Sequence, residues 1–316
     1  ENSYPSFDSY AALLNNTEWV QPSATLDGIS LVTVNYHAIA ASEIALAHLN
    51  ETITAISTWR NESELNRAEF LALYINAYNV YAIHTVLSHS CELDIFGACS
   101  SLSSIRDAGS LTSPVWKDNI GKVSGREMSL DDIEHVLRSP ASVPAFANIT
   151  EDARIHAAIV CASISCPNLQ PWPYLPDSID EQLTRSMTEF LANPKKGLHA
   201  SCKADGSAAT VRVSSIFNWF AADFVSASGS VSTFLATYAP GKAVPCLDSV
   251  GDALDYFEYN WSLNGKPLAC AADRPCYPVS SLIGTLVAIM CCCACTCIVR
   301  LFWRRRRANY VRFEES

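Results

Sequence analysis

From Val279 to Val299 the 316-residue sequence contains no charged side chain. At ~1.5 Å per residue an uninterrupted helix there covers roughly a 30 Å hydrocarbon core, so residues 279–301 are expected to cross a bilayer. A buried helix of a soluble domain would not end in Arg300 and the cluster Arg304, Arg305, Arg306 and Arg307, which keeps residues 302–316 cytoplasmic. Before Arg300, basic charge is scarce: 16 of the 22 Lys and Arg stand there against 30 of the 32 Asp and Glu, a net of −14. An acidic surface of that kind excludes nucleic acid as a partner. The sequence also lacks an initiating Met and an apolar leader before Glu1, so a signal peptide is expected to have been removed. Internal repeats and low-complexity tracts are missing as well, which excludes solenoids and arrays. None of the cysteines before the membrane run forms a CxxC pair, so neither a structural zinc site nor any other metal or cofactor is expected.

What is present fits a secretory passage. Five sequons precede the apolar run, at Asn15, Asn50, Asn61, Asn148 and Asn260. About three of them are expected to carry glycan. Eight cysteines precede the run, namely Cys91, Cys99, Cys161, Cys166, Cys202, Cys246, Cys270 and Cys276. In an oxidising compartment short separations favour Cys91 with Cys99 and Cys270 with Cys276, leaving Cys202 with Cys246 across a longer loop. Cys161 and Cys166 then either close a fourth disulfide or remain thiols. Five more, Cys291, Cys292, Cys293, Cys295 and Cys297, crowd the inner half of the run beside the arginines. That placement suits palmitoylation, with apolar filler as the plain alternative.

The expected fold is mixed α and β: one large ectodomain rich in helices with a small sheet, followed by the transmembrane helix. Residues 1–64 form an N-terminal extension packed on a domain spanning 65–272, and 273–278 are a stalk. Phe70, Leu73, Ala77, Val80, Tyr81, His84 and Leu87 recur at helical spacing and predict a long, mostly buried helix over 66–89. Ser129 is the N-cap of a short helix carrying Glu134 and His135, closed by Pro140. Residues 153–160 read as a short buried strand or helix leading into the small-residue turn Cys161-Ala162-Ser163-Ile164-Ser165-Cys166-Pro167. Residues 183–191 and 215–224 are expected to be helical, and 210–213 a strand.

Six ordered segments together resemble one family, the domain of unknown function 547 (DUF547) family of bacteria and eukaryotes, in a membrane-anchored eukaryotic form. They are Tyr74-Ile75-Asn76-Ala77-Tyr78-Asn79 with His84; Ser104-Ile105-Arg106-Asp107; Ser129 to His135 with Leu137-Arg138; Arg154-Ile155-His156 through Pro167; Trp219 with Asp223-Phe224; and Asn260-Trp261-Ser262-Leu263-Asn264. The resemblance runs from about Leu65 to Asn264. Where the family often places Asn before its Cys, this chain has Val160. The family name carries no reaction, so the resemblance implies a fold and a set of suspect residues only.

Asn76, Asn79, His84, Glu134, His135, His156, Cys161, Ser165 and Cys166 are polar groups on otherwise apolar elements, the types from which nucleophile, base and orienter are built. Two readings stand. In the first the ectodomain is a cell-surface binding or structural subunit whose partners are the bilayer and other membrane or extracellular proteins, at the plasma membrane or another secretory-pathway membrane. Cys161 and Cys166 are then a disulfide, and the buried polar groups hold the fold together. In the second it is a Cys/His-dependent hydrolase or acyl transferase with papain- or transglutaminase-like chemistry. Cys161 attacks, His84 or His135 takes the thiol proton, and Glu134, Asn76 or Asn79 orients the imidazole. A metal reading would gather His84, His135, His156 and one cysteine.

Overall fold

The computed structural model describes residues 4–89, 91–93, 99–108, 114–203 and 208–268. The apolar run, the arginine cluster, Cys270, Cys276 and the five inner cysteines lie outside the described residues.

The chain opens with helix α1 (Asp8–Asn15) and a hairpin of strands β1 (Val20–Leu26) and β2 (Ile29–Asn35). The hairpin turns at Asp27-Gly28, both with positive φ, as a tight two-residue connection requires. Helices α2 (Tyr36–Ala41) and α3 (Glu43–Thr58) follow. They lead to the central helix α4 (Arg67–Ser88), which starts in a capping box between Asn66 and Glu69. Helix α4 is long and apolar enough to cross a membrane, yet its side chains from Phe70 to Ile83 are all buried inside the domain. Leu13, Tyr36, Ile39, Leu49 and Ile56 of the preceding segment share one core with it.

After α4 come β3 (Cys91–Leu93) and β4 (Cys99–Ser101), then the short hairpin β5 (Gly121–Val123) and β6 (Arg126–Met128). Helix α5 (Leu130–Arg138) is capped by Ser129 and packs Leu130, Ile133 and Leu137 inward. A 3-10 turn over Ala153–Ala157 delivers the cysteine-bearing turn. The second half contains α6 (Ile179–Leu191), the antiparallel pair β7 (Leu198–Cys202) and β8 (Ala208–Val213), and four short helices: α7 (Ile216–Trp219), α8 (Ala221–Ser228), α9 (Val231–Tyr238) and α10 (Val244–Val250). These build a second core around Met187, Phe190, Phe217, Phe224 and Leu235. A disulfide joins Cys202 to Cys246 in this half. Strand β9 (Asp255–Tyr256) extends β8 in parallel, and β10 (Gly265–Lys266) does the same for β2.

The architecture is helical with small sheets, as composition and periodicity suggest. Among the described residues the strand content is divided among four small sheets of two or three strands, where one small sheet is expected from sequence. Helix formation over 215–224 is interrupted at Phe220, so α7 and α8 are separate. The buried stretch 153–160 begins as a 3-10 turn.

Candidate functional site

Helix α4 fixes the cysteine-bearing turn through an asparagine. Asn79 is 2% exposed, and it donates to Ala158 O at 2.9 Å while accepting the Val160 N–H at 2.8 Å. Asn76, one turn earlier, does the same for Tyr174, donating to its carbonyl at 2.7 Å and accepting its N–H at 2.9 Å. Both amides thus saturate irregular backbone that would otherwise be buried unpaired. Neither reaches an imidazole.

Beyond Val160 the chain turns sharply. Ala162 adopts a left-handed φ of 61°, a conformation that costs a non-glycine residue on the order of 1 kcal/mol or more. The turn is clamped from both sides. Its Ser163 bridges Leu263, the Ala162 carbonyl accepts the Asn264 N–H at 3.0 Å, and Ser165 exchanges backbone and hydroxyl bonds with Asn260. On the opposite side Lys196, 2% exposed, donates to Cys166 O at 2.5 Å, Asn168 Oδ1 at 2.8 Å and Ile164 O at 3.4 Å. Burial lowers its ammonium to a pKa of about 8, against the opposing pull of the neighbouring sulfurs.

Cys161 and Cys166 are both free in this turn. The Cys161 N–H donates to Cys166 Sγ at 2.9 Å, and Cys161 Sγ lies 3.2 Å from Ser163 Oγ and 3.5 Å from Tyr259 Oη. Ser163 donates to Tyr259 Oη at 3.2 Å, which leaves the phenol proton to point at sulfur. Burial opposes ionisation of Cys166, but hydrogen bonds from Cys161, Tyr259 and Ser163 outweigh it and lower its pKa. Cys161 is pushed up by its hydrogen bond to Cys166 and by burial. The shared hydrogen bond thus moves the two thiols in opposite directions, Cys166 down and Cys161 up. Both line one cavity; Cys161 is half-buried, whereas Cys166 is 3% exposed.

That cavity holds about 280 Å³ and is walled by Tyr78 of α4, Leu130, Asp131 and Glu134 of α5, His156, and the aromatic set Trp116, Trp219, Phe220, Tyr259 and Trp261. It lies along the seam between the two cores. Glu134 is pushed up to about 7, first by burial and then by Asp131, Cys166 and Asp223, with Arg138 opposing. His156 stacks on Phe220 at 4.3 Å and meets Asp223 Oδ2 at 2.8 Å through Nε2. Burial lowers the His156 pKa, so a neutral ring donates Nε2–H to the carboxylate. Arg138 grips the same carboxylate in a fork at 2.7 and 3.1 Å. Although burial works against ionisation of Asp223, the bonds from His156 and Arg138 hold it well below the usual carboxylate range.

Of the residues singled out from sequence, Cys161, Cys166, Glu134 and His156 converge on this cavity. His84 and His135 do not line it; His84 faces Ser88 and Tyr81, and His135 is exposed on α5. The imidazole in the wall is His156. Among the described residues no cluster of His, Cys, Asp and Glu is arranged to hold a metal. Sequence reasoning missed Tyr259, Trp116 and Lys196. The run Tyr256-Phe257-Glu258-Tyr259-Asn260-Trp261 carries an aromatic signal, while Lys196 carries none.

Fold and site thus define a helix-rich α/β domain with a thiol pair at the base of an aromatic cavity. The model of the family described as "Protein of unknown function, DUF547" matches residues 62–191, which supports that family. The matched stretch holds Glu134, His156, Cys161 and Cys166, whereas Trp219, Asp223, Tyr259 and Trp261 lie beyond it. Searches among curated proteins and among solved structures found no match.

Proposed function

We propose that the domain is a cysteine-dependent acyl hydrolase or acyl transferase, displayed as the ectodomain of a single-pass membrane glycoprotein. The observation that supports the chemistry is the pair of free cysteines lining the same cavity as Glu134, a carboxyl with a pKa of about 7. In this reading Cys161 Sγ attacks the substrate carbonyl carbon, its proton passes to the Cys166 thiolate, and an S–C bond forms. The developing oxyanion accepts the Tyr259 hydroxyl. As the acyl–oxygen bond breaks, protonated Glu134 gives its proton to the leaving alkoxide. Water or another acceptor then attacks the thioester and Glu134 takes its proton. The S–C bond breaks, and Cys161 recovers its proton from Cys166.

The departure from a Cys/His enzyme is that His156 is committed to Asp223, not to sulfur. That commitment favours a second reading, in which a surface subunit binds ligand in the cavity without turning it over. Incubating the full chain with p-nitrophenyl acetate and mapping the adduct separates the two. Acyl-transfer chemistry requires a transient acetyl on Cys161 that decays with release of acetate and is lost in Cys161→Ser. An unmodified Cys161, or an adduct that never decays, leaves only the binding reading.

A further inference from the structure

We propose that the cavity above Cys161 receives the quaternary ammonium end of a small substrate, so that its acyl compound is a choline-type ester or thioester. The proposal rests on the acyl-transfer reading for its substrate and on the cavity wall for its ligand chemistry. Trp116, Trp261 and Trp219 stand in a row of near-parallel indoles, with interplanar angles of 24° and 19° and centroids 6.3 and 5.8 Å apart. Tyr259 leans against two of them at 4.5 and 4.9 Å. Indole faces are the strongest aromatic partners for a cation. One guanidinium already uses this surface, because Arg106 lies 5.4 Å above the Trp261 ring.

The charges of the lining point the same way. Asp131 is acidic, Glu134 keeps its proton up to about pH 7, and the one basic side chain in the wall, His156, is buried and neutral. Each cation nearby is engaged: Arg138 is forked onto Asp223, Lys196 is turned onto backbone carbonyls behind the turn, and Arg106 lies over the Trp261 ring. An anion entering here meets the Asp131 carboxylate and finds no basic side chain of the wall free to pair with it. A volume of about 280 Å³ sits at the small end of ligand sites, which span roughly 300–1,000 Å³, and suits a compact head group. The exposed ring of Trp219, 48% accessible, forms part of the wall.

The test uses the full chain in non-ionic detergent carrying Cys161→Ala, so that binding is read without turnover. Choline, its uncharged isostere 3,3-dimethylbutanol, and phosphatidylcholine vesicles are titrated against tryptophan fluorescence. Choline should bind at least about tenfold more tightly than the isostere, the effect expected of a desolvated cation on aromatic faces. Trp219→Leu, a change at an exposed position, and Trp261→Phe, which keeps a ring in place, should each reduce that preference. Vesicles binding more tightly than choline would place the same ammonium chemistry on a lipid head group. Equal binding of choline and isostere, or a preference untouched by both variants, overturns the proposal. An acetyl adduct on Cys161 without choline preference sinks this inference alone. Choline preference without the adduct sinks acyl transfer alone.

Discussion

Glu134 is where the site's chemistry becomes measurable as stability. Its folded-state pKa of about 7 lies above the ordinary value of 4.5, chiefly because it is buried. Between those pH values the folded protein keeps a proton that the unfolded chain releases. Stability contributed by the protonated carboxyl is therefore complete below pH 4.5 and lost as pH rises through about 7. Glu134→Gln should match the parent near pH 4 and exceed it by about 1–3 kcal/mol at pH 8, as read by denaturant unfolding at both pH values. Equal shifts at the two pH values would show that Glu134 does not hold its proton. Glu134 was visible in the sequence as an acid on a strongly amphipathic helix. Lys196 was not visible. It follows exposed Lys195, and only contacts with a turn some thirty residues away decide which of the two ammonium groups turns inward.

At the scale of elements, the chain from Tyr259 to Lys266 ties the site together. Ser262 bridges Ser104, Leu263 bridges Ser163, Asn264 takes the Tyr36 hydroxyl at 2.7 Å, and Gly265 pairs with Val34. The last pairing needs glycine, since a Cβ at position 265 would stand 1.8 Å from Val34 O. Gly265→Val should therefore cost about 2–4 kcal/mol and release Tyr259 from Cys161, seen as a lower melting temperature and faster alkylation of Cys161. Unchanged alkylation would mean that this segment does not position the phenol. Helices α4 and α5 were legible in advance because each carries its own cap and an apolar pattern several turns long. The 259–266 segment was not, because each of its pairings is one or two residues long and made with a different, distant partner. No periodicity can record such contacts.

On the scale of the whole molecule, the proposed outward orientation can be checked by which sequons carry sugar. Asn15, Asn50 and Asn148 are exposed, whereas Asn61 and Asn260 are half-buried. Glycans are expected at the first three, so Asn15→Gln, Asn50→Gln and Asn148→Gln should each remove one step from the mass of the cell-expressed chain. A mass untouched by deglycosylating enzymes would withdraw the ectodomain proposal. Two cores meet at the cavity, one built on α4 and the other on α6 to α10, so ligand entry and the packing of the two halves are coupled. Cys161 belongs to the α4 half through Asn79, which grips both Ala158 and Val160 from the middle of the buried stretch Phe70 to Ile83. Loosening the chain before Cys161 breaks both bonds of Asn79 and leaves a buried amide unpaired, a cost that ties the order of the cysteine turn to that of the core around it.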